Sequence, residues 1–293
     1  VKSFNYYILA YKEDINKTLN SSNFIYYLKK IRYSEYSKEI ENIYLTILNK
    51  RNFVRPHDFM NSIISLLTHK KEFKDIKKEF YNKQLSKDII NKLSKENLFL
   101  RLIELVPITD LSLEKFIVSL RKFLLLEKET IVLNNVSKKI IEAISLHCFS
   151  TDYIYNVDED EKRILKILNV KKTYSNLNPM ELNINIALLS CYLPLFKKLW
   201  IKKTNFKYVF NKIYVAQISN FESEKLISKR IVNFSKIKDK ISKIVKENYE
   251  SFPYPRWTNL SLFTQKYENI YEFCLQNDLK INPLSKNKGN KIK

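Results

Sequence analysis

Glycine is almost missing: among 293 residues there is one, Gly289. Dinucleotide sites, P-loops and the Gly-rich cofactor loops of Rossmann-like domains all need glycine where backbone approaches a ligand, so none of them lies within residues 1–288. Parallel α/β domains and β-hairpins lean on glycine for their turns as well. The shortage predicts an all-α, multi-helix globular bundle whose helices are joined through Pro, Asn and Ser. Alanine is scarce too, with four in the chain, too few for the small helix-contact positions of a tetratricopeptide array. No internal repeat is evident.

Metal and disulfide chemistry is equally short of material. The three cysteines, Cys148, Cys191 and Cys274, are odd in number and far apart, which supports neither a disulfide framework nor a zinc site. They read as core residues of a protein in a reducing, cytoplasmic compartment. His57, His69 and His147 have no second ligand at metal spacing apart from Cys148 beside His147. Adjacent helical side chains diverge by about 100° and do not chelate one ion well. Long apolar runs are missing, since stretches such as 123–126 are soon broken by charge, so neither a membrane span nor a cleavable signal is expected.

Negative charge is also in deficit. Fifty-two Lys and Arg stand against 31 Asp and Glu, a formal net charge of +21. Such a balance admits a stand-alone basic helical module that binds nucleic acid or another polyanion through released counterions. Two observations count against it. The lysines are spread over many predicted helices, and only eight of the 52 cations are arginine, the residue whose bidentate fork favours phosphate recognition. The richness in Lys, Ile and Asn is also what AT-rich codon usage produces.

What is present is helical periodicity. Apolar spacing predicts helices near 4–16, 37–50, 56–69, 73–82, 86–93, 96–105, 111–126, 136–149, 158–169, 179–199, 220–233 and 235–251; residues 206–218 are read as helix too, though their β-branched and aromatic residues admit a strand for which no partner is evident. Asn178-Pro179-Met180-Glu181 is a start signal, and Ser219-Asn220-Phe221-Glu222 reads as a capping box. Asp158-Glu159-Asp160-Glu161 invites a metal or acid/base reading, but four carboxylates in a first helical turn complement the macrodipole, and that is the reading adopted. The pattern divides softly into 1–172 and 173–252, possibly on one core, then a corner and connecting helix over 253–282 and a polar linker over 283–293.

The least ordinary stretch is Tyr249-Glu250-Ser251-Phe252-Pro253-Tyr254-Pro255-Arg256-Trp257. Pro253 and Pro255 fix an extended path. On it Tyr254 or Trp257 can stack on a ligand while Arg256 pairs with an anion, or the aromatics can seal a core at a helix-to-domain corner.

This run closely resembles the Tyr-Glu-x-x-Pro-Tyr-Pro-Arg-Trp signature of bacterial tetratricopeptide-repeat-containing, S-adenosylmethionine-dependent class I methyltransferases. Residues 101–111, 120–125 and 148–156 are similar to the helical region ahead of the catalytic domain there, and 52–56 to an earlier element. The resemblance spans about residues 40–282. It implies a Rossmann-like catalytic domain beginning shortly after the region that matches Asp278–Asn282, and repeats upstream of Val1. Both termini then read as truncations. It further implies no catalytic residue, metal site or bound cofactor in this chain, S-adenosylmethionine for the parent protein, and two partners in cis: the downstream methyltransferase domain and the upstream repeats. Tyr249, Pro253, Tyr254, Pro255, Arg256 and Trp257 would form a roof over the cofactor or a domain contact. A scaffold without a small-molecule ligand is partly included in that reading.

Overall fold

A computed structural model describes residues 8–9, 22–49, 55–82, 87–170, 174, 177–231 and 239–251. Among them every regular element is helical, as the shortage of glycine predicts. The helices are α1 (Ser22–Lys30), α2 (Lys38–Asn49), α3 (Met60–Leu67), α4 (Lys71–Tyr81), α5 (Lys87–Ser94), α6 (Asn97–Leu105) and α7 (Leu111–Leu126). They continue with α8 (Asn135–Ser150), α9 (Glu159–Leu168), α10 (Pro179–Leu189), α11 (Phe206–Val209), α12 (Asn211–Tyr214), α13 (Asn220–Ser228) and α14 (Lys240–Ser251). A 3₁₀ turn, Pro56–Phe59, leads into α3 with Pro56 at its first position, where a missing N–H costs nothing.

Several helices begin where a short polar side chain takes the free N–H groups of the first turn. Asp110 accepts from Leu113 N at 2.9 Å. Asn134 accepts from Val136 N and Ser137 N at 2.9 and 3.0 Å. Asn178 takes Met180 N and Glu181 N, each at 3.0 Å. At α9 the Asp158 carboxylate accepts from Glu161 N at 3.0 Å while Glu161 accepts from Asp158 N at 2.9 Å, a reciprocal capping box. The acidic run at 158–161 therefore is a helix start, as its composition predicts.

α8 is the axis of the body, packing against α5, α6, α7, α10 and α12. Its Ile140, Ile141, Ala143, Ile144 and Cys148 are fully buried, and they belong to one apolar cluster running from Phe24 in α1 to Ile218 beyond α12. Residues on both sides of position 172 enter this cluster. Phe73 of α4, Phe99 of α6 and Phe116 of α7 meet edge-on or tilted at centroid distances of 5.0–6.4 Å, arrangements favoured by the ring quadrupole.

Some expectations need correction. The helix expected over 179–199 stops at Leu189. Pro194 bars helical geometry at the residue before it, and the chain proceeds through 3₁₀ turns at Leu195–Lys197 and Leu199–Lys203. The Ser219 capping box does not form: Ser219 has helical φ −65° and ψ −45° and its side chain makes no cap bond. It is instead the last residue of a π turn, Val215–Ser219, that runs straight into α13. α1 was not expected. Most of the helix expected at 4–16, and the start of the one at 235–251, lie outside the described residues. No described helix is long and apolar enough to cross a membrane.

Candidate functional site

Of the corner residues, Tyr249 lies in the last turns of α14 with its side chain exposed. Pro253, Tyr254, Pro255, Arg256 and Trp257 lie outside the described residues. Among the described residues, the densest gathering of chemically capable side chains is in the interior, where α7, α8, α9 and the end of α10 meet.

Its centre is Arg121, on the buried side of α7 and 1% exposed. One Nη2 donates to the Asn156 carbonyl at 2.7 Å and approaches Glu161 Oε1 at 3.2 Å. Glu161 is itself 2% exposed, and the same oxygen accepts from the Tyr192 hydroxyl at 2.7 Å. The guanidinium lies 4.2 Å from the centre of the Tyr192 ring and 5.9 Å from that of Tyr155, so two aromatic faces help hold the cation away from water. Tyr155 hydrogen-bonds His147 Nε2 at 2.7 Å and stacks on the imidazole at 5.9 Å.

Local chain geometry delivers these groups. α8 ends in a Schellman arrangement: Tyr153 N donates to Cys148 O at 3.0 Å and Asp152 N to Phe149 O at 3.3 Å. The left-handed position, normally glycine, is held by Asp152 at φ 50°, followed by Tyr153 at φ 58°. Non-glycine residues enter this region at a cost of about 1–2 kcal/mol. That turn swings Tyr155 back over His147 and points the Asn156 carbonyl at Arg121 within four residues. Asp158 then starts α9, which carries Glu161 to the same point.

The electrostatics silence the reactive groups. Burial holds the His147 imidazole down at about 4, against a weaker opposing effect from the backbone of Ile103 and Val106. Its Nδ1 is buried near that backbone without a well-formed hydrogen bond. Burial pushes the Cys148 thiol up to about 12 despite Arg121 nearby, and drives Cys191 well above its ordinary value. At neutral pH both thiols are protonated and the imidazole is neutral, so neither a thiolate nucleophile nor an imidazolium is on offer. What the arrangement does is fix four helices in one register.

Two further polar knots lie inside. Lys70 meets Glu41 at 3.3 Å and Glu96 at 2.8 Å, all three nearly inaccessible. The Lys70–Glu96 contact is close enough for an ion pair, yet Glu96 Oε2 is left without a hydrogen bond of good direction. Burial tends to raise the Glu41 carboxyl, but hydrogen bonds from Tyr36, Lys70 and Lys38 more than offset it and the group stays below its ordinary value. At Glu96 burial wins and the carboxyl is raised. In the second knot Gln217, carried by the π turn, donates to Ser145 Oγ and Ser190 O at 3.1 Å each and accepts from Leu195 N at 3.2 Å. Ser145 and Ser190 hydroxyls lie 2.6 Å apart. A π turn often marks function; here its extra residue presents Gln217 to the chain that leaves α10.

Sequence reasoning missed Arg121, Glu161 as a core group, and Gln217. Among the described residues no group of three or more His, Cys, Asp or Glu is placed to hold a metal ion. Comparison of the chain with protein-family models, with curated proteins and with solved structures finds no match.

Proposed function

We propose that this chain is a non-catalytic helical module of a larger S-adenosylmethionine-dependent methyltransferase, positioning a catalytic domain that follows it. The observation that carries the reading is the run Tyr249–Trp257, whose Pro-Tyr-Pro-Arg-Trp core resembles the family signature. Two features support it. The interior is locked by polar knots whose thiols and imidazole are unreactive at neutral pH, which suits a rigid mount. And α14, which leads directly to the corner, is exposed along residues 239–249.

Reading the source gene past the codon for Lys293 tests this. A short apolar strand followed by a Gly-x-Gly-type loop within a few tens of residues supports it; a stop codon overturns it. In the full-length protein, Arg256→Ala with Trp257→Ala is expected to impair cofactor binding or solubility. Unchanged activity and stability would remove any special role for the corner.

The charge of +21 keeps a second reading, a basic module for nucleic acid or another polyanion. A salt titration decides it. A phosphate interface of several contacts loses on the order of 10³-fold or more in affinity between roughly 50 and 200 mM salt, whereas weak, salt-independent binding to DNA and RNA excludes it.

A further inference from the structure

The connection between α10 and α13 has no negative charge of its own. All 31 Asp and Glu of the chain lie outside residues 182–221, while Lys197, Lys198, Lys202, Lys203, Lys207 and Lys212 crowd one part of that stretch. AT-rich codon usage enriches lysine but does not deplete Asp or Glu, so it leaves this gap unexplained. Elsewhere cations and carboxylates alternate, as on α9, where Lys162 pairs with Glu159 and Arg163 with Asp160. Among the described residues, folding returns two carboxylates to the stretch: Glu222 pairs with Lys202, and Glu104 with Lys212. Lys197, Lys198, Lys203 and Lys207 have no acidic partner among the described residues.

Apolar groups sit among these cations. Leu199–Lys203 is a 3₁₀ turn, in which side chains three apart point the same way. Ile201 is fully buried and marks the inward side. Leu199 and Trp200 stand about 120° to either side of it, and Lys202 and Lys203 repeat their directions. The outward half of the turn therefore sets Leu199, 67% exposed, beside Lys202 and the exposed Lys203. Trp200 is half-buried, with its ring tilted on Tyr174 at 4.6 Å. In α11, four residues beyond the turn begins to close, Tyr208 is 75% exposed and Lys207 Nζ lies 4.7 Å from its ring centre.

We propose that residues 197–208 dock this protein on an anionic lipid surface, with Leu199 entering the headgroup layer and Lys197, Lys198, Lys203 and Lys207 meeting the lipid phosphates. Lysine beside exposed Leu, Trp and Tyr is the composition of segments that lie in a bilayer interface. Lysine stems also bury along apolar surface while their charge stays in water. A nucleic-acid strand would draw on arginine, which residues 182–221 lack altogether, and its phosphates give Leu199 nothing to bind. The contact lies on a membrane and does not cross it, and it is independent of the methyltransferase reading.

Sedimentation of the full chain with vesicles of phosphatidylcholine and phosphatidylserine in equal parts is the first measurement, with pure phosphatidylcholine as reference. Binding to the mixed vesicles alone is expected, and its absence overturns the proposal. Each lysine near such a surface adds about fivefold in affinity, so Lys197→Glu with Lys203→Glu should weaken binding by about 25-fold or more. Lys74→Glu with Lys78→Glu makes the same change of charge at exposed positions of α4 and should cost far less. Equal losses in the two double variants would show that net charge alone binds, and overturn the assignment to this patch.

Leu199→Ser separates insertion from charge. The side chain is exposed, so the unfolding midpoint should hold while affinity for mixed vesicles falls about tenfold. Unchanged affinity overturns the entry of Leu199 into the lipid. A single-stranded RNA oligonucleotide supplies the competing partner: RNA binding that is lost in Lys197→Glu with Lys203→Glu, together with no vesicle binding, gives the patch to nucleic acid and overturns the lipid assignment.

Discussion

Arg121 and Glu161 stand 40 positions apart in the chain and meet at 3.2 Å in the interior, each almost wholly shielded from solvent. The pair joins α7 to α9, and the Tyr192 hydroxyl on the same carboxylate oxygen adds the end of α10. A buried ion pair contributes little net stability, because desolvating the two charges offsets most of their attraction, but removing one partner strands the other.

Arg121→Met is therefore expected to destabilise the protein by about 3–5 kcal/mol, with Glu161→Leu similar. The double variant should recover most of this loss, since neither charge is then buried alone. Urea denaturation of the four proteins gives the coupling energy. Additive losses would mean that the two residues act independently and that the pair is not the knot described.

The turn after α8 makes a prediction of opposite sign. Asp152 holds the left-handed position of a helix end at φ 50°, where glycine carries no Cβ penalty. Asp152→Gly is expected to raise stability by about 1 kcal/mol, although glycine also gains entropy in the unfolded chain. A fall in the denaturation midpoint would show that the Asp152 side chain contributes more than its backbone strain costs.

His147 ties stability to acid. Its folded pKa of about 4 lies below the ordinary 6.5 because of burial, so the unfolded chain takes up the proton first. The resulting stability is fully present above pH 6.5 and is lost as pH falls toward 4, and it amounts to ~3 kcal/mol. His147→Gln should flatten that segment of the stability profile. An unchanged acid slope in the variant would place the titration elsewhere.

How much of this was legible depends on distance along the chain. The run Asp158 to Glu161 is legible as a helix start from its acidic first turn, and the structure adds the reciprocal capping box between Asp158 and Glu161. The span of α7 was equally plain from its apolar spacing. Pro194 is a visible bar to one continuous helix over 179–199. Other features left no local trace. Arg121 sits in sequence like any helical cation, and only folding brings it to Glu161 and Tyr192. Asp152 marks a left-handed turn that one normally finds by its glycine, in a chain whose one glycine is Gly289. Ser219 was misleading because a Ser-x-x-Glu spacing also occurs inside a continuing helix, where the N–H groups it would cap are already bonded. The candidate corner at 253–257 stands out by its two prolines and aromatics as well as by resemblance, and it lies outside the described residues.

Glu142 gives a second pH test with the sign reversed. It projects from α8 among Lys138 of the same helix, Glu104 of α6 and Lys212 of α12, and burial raises its carboxyl above the ordinary 4.5 against the pull of the two lysines. Lys212 is already engaged at 2.6 Å with Glu104, which leaves Glu142 without a strong countercharge of its own. The folded state thus holds this proton more tightly than the unfolded chain does. Stability from this group is present below pH 4.5 and is lost as pH rises through the folded value, so the ionised carboxylate is a burden at neutral pH. Glu142→Gln keeps the shape and cannot ionise. It should move the urea midpoint upward at pH 7 and leave it unchanged near pH 4, and a lower midpoint at pH 7 would show that the attraction of Lys212 and Lys138 outweighs the cost of burial.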